Sequence, residues 1–208
     1  MTLADWLTII EIAATLAFAV SGLIVAAREK LDVVGAAVVA IAASFGGGTV
    51  RDVLLSRRPF FWVEHQEYLW AVLILAAVSW PLFVRGRLAP TERVLVVPDA
   101  LGLGLFSASG VGLALDAGMP MLVAALMGVV TAVFGGVVRD VLCNRVPAAL
   151  YDHQPYALCA FAGGWLSIGC VELGVAHSSA LLIGAAAATA LRLLAWWRGW
   201  RLPGWPAA

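Results

Sequence analysis

Two short runs hold most of the chemistry available to this sequence. Gly47-Gly48-Thr49-Val50-Arg51-Asp52-Val53-Leu54 returns 88 residues later as Gly135-Gly136-Val137-Val138-Arg139-Asp140-Val141-Leu142. In each run, glycines that disfavour a helix lead straight into an adjacent guanidinium and carboxylate. The same offset sets Glu11 against Asp99, and Ser21-Gly22 against Ser109-Gly110. Carboxylates raise the local concentration of cations, while guanidinium groups oppose or gate their passage. Hydroxyls and freed carbonyls can stand in for water around an ion. No Walker loop, nucleophile motif or HExxH is present, so neither an enzyme nor a cofactor is expected. His65 and His153 match at the same offset but have no neighbours at ligand spacing. They read as loop histidines bonded to backbone or to Tyr68 and Tyr156.

These residues sit in a chain built for lipid. Of its 208 residues, 62% are hydrophobic and 12% charged, with a mean hydropathy of +0.95. Soluble domains average about 45–50% apolar and about 25% charged, so a soluble enzyme, a nucleic-acid binder and a disordered chain are all excluded as readings. Thirteen basic residues balance thirteen acidic ones, and no polybasic tail points to an acidic partner. Cys143, Cys159 and Cys170 lack disulfide or metal spacing and read as apolar filler. Tryptophans 62, 70, 196, 197 and 200 fit an interfacial belt.

Hydropathy places seven spans near 5–27, 33–50, 69–84, 94–115, 119–138, 155–173 and 178–197. Little chain is left over, so one transmembrane domain over 1–208 is expected, all-α. The 88-residue register also carries Phe18 onto Phe106, Arg57 onto Arg145, Pro59 onto Pro147 and Gln66 onto Gln154. It defines two copies of a three-span unit, about 5–87 and 93–175, with a seventh helix at about 178–198. An odd number of spans per unit makes the copies inverted repeats. With the N-terminus outside, Arg28, Lys30, Arg85, Arg87, Arg93, Arg139, Arg145, Arg192, Arg198 and Arg201 face the cytoplasm. Only Arg51, Arg57 and Arg58 face out, so N-out, C-in satisfies the positive-inside rule. Asp5 ahead of the first span is the wrong charge order for a cleaved signal peptide.

Inside the second and fifth spans, Phe45-Gly46-Gly47-Gly48-Thr49 and Phe134-Gly135-Gly136 predict helices interrupted at a permeation site. The alternative is close helix packing at small residues. Sequence neighbours on a helix do not face each other. Arg51, Asp52, Arg139 and Asp140 are therefore expected to find partners on other helices, between the repeats for example, or else to anchor at headgroup level. Glu11 and Asp99 lie inside their spans toward opposite faces, as candidate cation attractors. Ser21 and Ser109 are candidates for ion coordination, with bonding to a carbonyl one turn back as the alternative.

The doubled motif, with Arg58-Pro59-Phe60 after the first copy and Cys143-Asn144 and Pro147 after the second, resembles the prokaryotic TRIC proteins. These are relatives of the trimeric intracellular cation channels. The resemblance runs from about residue 5 to 198. It implies a homotrimer of seven-helix protomers in a prokaryotic inner membrane, each with a pore permeable to K+ and other monovalent cations such as Na+. It assigns Gly46, Gly47, Gly48 and Thr49 to one bend of the pore lining, and Gly135 and Gly136 to the other. The second copy departs from the first, with Phe134 in place of Gly46. The lysines that bind phosphoinositide in the animal channels have no counterpart, Lys30 being the only lysine, so that lipid is not expected as a partner. The same bacterial group is also described as a glycine-transporter domain, which leaves a small-solute carrier working by alternating access as the rival.

Overall fold

The computed structural model describes residues 3–86, 89–151 and 153–204. Arg87, counted above among the cytoplasmic cations, lies outside them. Among the described residues the regular structure is entirely helical. The elements are α1 (Leu3–Arg28), α2 (Val33–Leu54), α3 (Phe61–Glu64), α4 (Gln66–Val84), α5 (Glu92–Asp116), α6 (Met121–Leu142), α7 (Ala148–Tyr151), α8 (Tyr156–Glu172) and α9 (His177–Arg198). Six of them are long and apolar enough to cross a membrane; α8, at 17 residues, is a shorter apolar helix. Helices suit such a chain because lipid offers no partner for an open backbone amide or carbonyl.

Local chemistry sets the ends. Asp32 caps α2 by accepting from the Gly35 amide at 2.7 Å, and Thr91 caps α5 by accepting from Val94. Gly199 closes α9 in the left-handed region, at φ 63°, where a side chain would be strained. The turn between α5 and α6 falls where Asp116, Gly118 and Pro120 foreshadow it.

Two predicted boundaries move. Helices α2 and α6 continue about one turn beyond residues 50 and 138, carrying both Arg-Asp pairs inside the helix. They also run unbroken through the glycines. The expected interruption is therefore absent, because the glycines are spent on helix contact. A Cβ on Gly47 would lie 2.0 Å from the Thr131 carbonyl oxygen, and one on Gly135 would lie 2.3 Å from that of Ala43. Residues 43 and 131 are themselves 88 apart, so α2 and α6 cross through reciprocal contacts. Gly22 and Gly110 repeat the pattern, set against residues 39–40 and 127–128 respectively.

Helices α1 and α5, the most buried pair, run side by side at the centre, with the Phe18 and Phe106 rings stacked at 5.6 Å. α9 covers α5 and α8 through tight approaches at Gly104, Gly163 and Gly184. No described helix covers α4 in the same way. It is the least buried of the long helices and exposes Trp70, Ile74 and Val78.

Candidate functional site

The Arg51 guanidinium is fully buried. Its Nη1 donates to Glu11 Oε1 at 2.5 Å and to Ser109 Oγ at 3.0 Å, and its Nε donates to Asp52 Oδ1 at 2.9 Å. The Ser109 hydroxyl donates in turn to Glu11, at 3.0 Å. Asp52 Oδ2 accepts from the Phe61 amide at 2.9 Å. The second set follows the same plan. Arg139 Nη1 donates to Asp99 Oδ1 at 2.7 Å and to Ser21 Oγ, its Nε donates to Asp140 Oδ1 at 2.8 Å, and Ser21 bonds to Asp99. Asp140 Oδ2 accepts from the Ala148 amide at 3.0 Å. Each arginine thus takes its carboxylates from its own copy of the repeat and its hydroxyl from the other copy.

These contacts revise two expectations. Adjacent Arg and Asp do pair: although their Cβ bonds diverge, the long arginine side chain folds back so that Nε reaches its neighbour. Headgroup anchoring is also ruled out, since Arg51 and Asp52 are 0% exposed and Arg139 and Asp140 are 4% and 5% exposed. Burying a guanidinium in an apolar bundle is tolerable only with paired, hydrogen-bonded counter-charges. Here each arginine meets two carboxylates, and at the first cluster Arg57, 3.6 Å from Asp52, adds a second, partly exposed cation.

Glu11 and Asp99 are therefore ion-paired, each 7% exposed, and are not bare attractors in a vestibule. Ser21 and Ser109 bond across the repeats rather than to their own helix. Thr49 Oγ1 does bond one turn back, to the Phe45 carbonyl at 2.7 Å, and accepts from Trp62 Nε1 at 3.0 Å, so Trp62 does more than line the interface. A Cβ on Gly46 would meet Val138 at an ordinary 3.5 Å, and one on Gly136 would meet Arg139 and Tyr156 at 3.6 Å. His65 stacks on Tyr68 at 5.0 Å, but its ring nitrogen bonds to Glu67 rather than to the tyrosine. His153 lies beside Tyr151 and Gly204 instead.

The clusters lie toward opposite ends of α1. Glu11 and Ser21 are ten residues apart, about 15 Å along a helix. On α5 the order is reversed, Asp99 meeting Ser21 and Ser109 meeting Glu11, so α1 and α5 are antiparallel. A cavity of about 320 Å³ reaches the first cluster, lined by Glu11, Arg57, Phe61, Glu64 and His65 among others. One of about 200 Å³ reaches the second, where Arg139, Asp140 and Arg145 form part of the wall. Two participants were invisible in the pattern of repeated residues. Phe61 packs on Arg51, its ring centroid 5.2 Å from the guanidinium carbon. From α9, outside the repeat, Arg192 sits 5.0 Å over the Tyr156 ring and bonds to Gln154.

A family model described as "Glycine transporter" matches the chain twice, over residues 8–83 and 96–172, its two matches beginning 88 residues apart. The chain is also 33% identical to the TRIC trimeric intracellular cation channel orthologue from Rhodobacter sphaeroides. That structure superposes with a TM-score of 0.85 over 93% of this chain and 98% of the other. The chain belongs to the TRIC/UPF0126 family. A second TRIC cation channel structure, solved to explain conductance, matches with a TM-score of 0.84 at 29% identity, covering 97% of this chain and 98% of that one. A UPF0126 membrane protein of Vibrio cholerae is 37% identical over 187 residues, 90% of this chain and 77% of that protein. With these relatives and its apolar helices, this TRIC/UPF0126 protein is an integral membrane protein.

Proposed function

We propose that this protein is a monovalent cation channel permeable to K+, with one pore per protomer between two inverted three-helix repeats. In this reading α8 and the six long helices make seven spans, N-out and C-in, and three copies assemble in the inner membrane. The observation that carries it is the pair of buried Arg–carboxylate–Ser clusters, one at each end of the antiparallel α1–α5 pair. Each holds two carboxylates, and each is reached by a cavity from its own side. The likeness to solved TRIC cation channels supports the same reading. The path runs along α1, α2, α5 and α6, past the α2–α6 crossing at Gly47 and Gly135.

The family model's description favours a second reading, a glycine carrier. Purified protein separates the two. In planar bilayers the channel gives unitary K+ currents, and in liposomes it takes up no glycine against a sodium or proton gradient. Saturable glycine uptake without unitary currents would replace the channel by the carrier.

A further inference from the structure

Phe61 breaks the correspondence between the two clusters. The residue 88 positions on is Ala149, and the one that opens α7 and donates its amide to Asp140 is Ala148; neither has a ring. Phe61 opens the four-residue helix α3 and is 2% exposed. Its ring lies against the helix face at Gly48, where a Cβ would come within 2.3 Å of a ring carbon. Phe45, Tyr68 and Phe106 surround it at centroid distances of 5.8, 6.3 and 6.5 Å, and the Arg51 guanidinium lies over its face. The same residue lines the Glu11 cavity, so Phe61 and Glu11 together stand between that cavity and buried Arg51. The Phe61 amide meanwhile holds Asp52. A shift of α3 would therefore uncover the arginine and release the carboxylate in one movement.

Among the described residues no ring lies over the Arg139 guanidinium as Phe61 lies over that of Arg51. A Cβ on Gly136, the counterpart of Gly48, would meet Arg139 and Tyr156 at 3.6 Å. The Asp140 amide donor is Ala148, and the cavity on that side is walled by Arg139 and Asp140 themselves.

We propose that the Phe61 ring is a removable apolar barrier at the Arg51 end of the permeation path, seated in the slot left by Gly48, and that the Arg139 end has no matching ring over its guanidinium. The proposal rests on the channel reading above. An apolar constriction stops ions by excluding the water they travel with; moving the ring readmits it.

Single-channel recording in symmetrical K+, on protein verified as assembled, tests this with three variants. Phe61→Ala raises the open probability about tenfold by shifting a closed–open equilibrium, with the unitary current unchanged. Phe61→Leu, which keeps apolar bulk but loses the aromatic face toward Arg51, shifts it in the same direction by less and decides the matter if the alanine variant fails to assemble. Ala149→Phe adds a ring at the bare end and lowers the open probability. Wild-type currents with open probability unmoved by the Phe61 substitutions overturn the barrier and leave the channel standing. Silence of the wild type and all variants overturns both.

Discussion

The two arginine clusters share a charge plan and differ in what surrounds it. At the Arg51 end an aromatic ring seals the guanidinium, and Arg57 lies 3.6 Å from Asp52. At the Arg139 end the neighbouring ring, Tyr156, approaches through its hydroxyl rather than its face, and Arg145, the counterpart of Arg57, bonds to Glu29 at 2.7 Å instead. Tyr156 there is covered by Arg192, whereas its counterpart Tyr68 is covered by His65. The difference teaches that the buried ions form the constrained unit. Replacing any of them strands a charge in a low-dielectric interior, so both copies keep them. The shell around them bears no such penalty and has diverged, giving the two ends different closures.

Removing an arginine is the strongest way to break the comparison. Arg51→Ala and Arg139→Ala each leave two buried carboxylates facing each other, at a cost of about 3–5 kcal/mol. Thermal unfolding in detergent should show the larger loss for Arg51, which is fully buried behind Phe61; equal losses would mean that the surrounding shell is irrelevant. Next come the helix-crossing glycines. Gly47→Ala and Gly135→Ala each press a methyl against a carbonyl, costing about 1–3 kcal/mol apiece as overpacking does. They should be near-equal because their contacts are reciprocal, while Gly46→Ala is tolerated. Unequal losses, or a Gly46 effect of the same size, would show that the crossing is not the constraint.

Neutralising the paired acids acts on flux. Glu11→Gln with Asp99→Asn removes one negative charge at each end. K+ conductance should fall most at low ionic strength and recover near molar salt, where screening shortens the field well below the ~8–10 Å typical of physiological salt. The K+/Na+ reversal potential stays in place. A fall that is uniform across salt would assign the acids to holding the arginines alone. The smallest effects belong to the outer arginines. Arg57→Gln and Arg145→Gln remove partly exposed partners and should change stability by about 0–1 kcal/mol, but only Arg57→Gln removes a cation paired with a carboxylate of a buried cluster. Conductance at low salt should therefore respond to Arg57→Gln and ignore Arg145→Gln.

Much of this was legible before any coordinates. The 88-residue register placed the matching glycines, acids, serines and arginines, and hydropathy placed the long helices to within a turn or so. It stopped α2 and α6 one turn short because Arg-Asp resembles a helix end on a hydropathy scale. Only the pairing shows that these ions are buried. The serine roles were within reach: antiparallel α1 and α5 that bring Ser21 to Asp99 must bring Ser109 to Glu11. Phe61 was beyond reach for another reason. A search for repeated residues registers identities, and the signal at 61 and 149 is a difference. Arg192 lies outside the repeat and had no matched position to betray it.

The contacts joining the two copies have one further property. Gly47 meets residue 131 as Gly135 meets residue 43, Arg51 meets Ser109 as Arg139 meets Ser21, and Phe18 stacks on its own counterpart, Phe106. Such an interface is isologous, the kind formed by two identical subunits about a two-fold axis. Two separate copies of the first half, inserted in opposite directions, would supply every one of these partners: Arg51 from one chain, Ser21 from the other, Gly47 against the opposing carbonyl of residue 43. The two halves of this chain thus meet through reciprocal contacts, as the subunits of a two-fold dimer do. The covalent joining is what allowed Phe61 and Ala149 to become different residues, and so allowed a self-complementary pair to acquire two unlike ends.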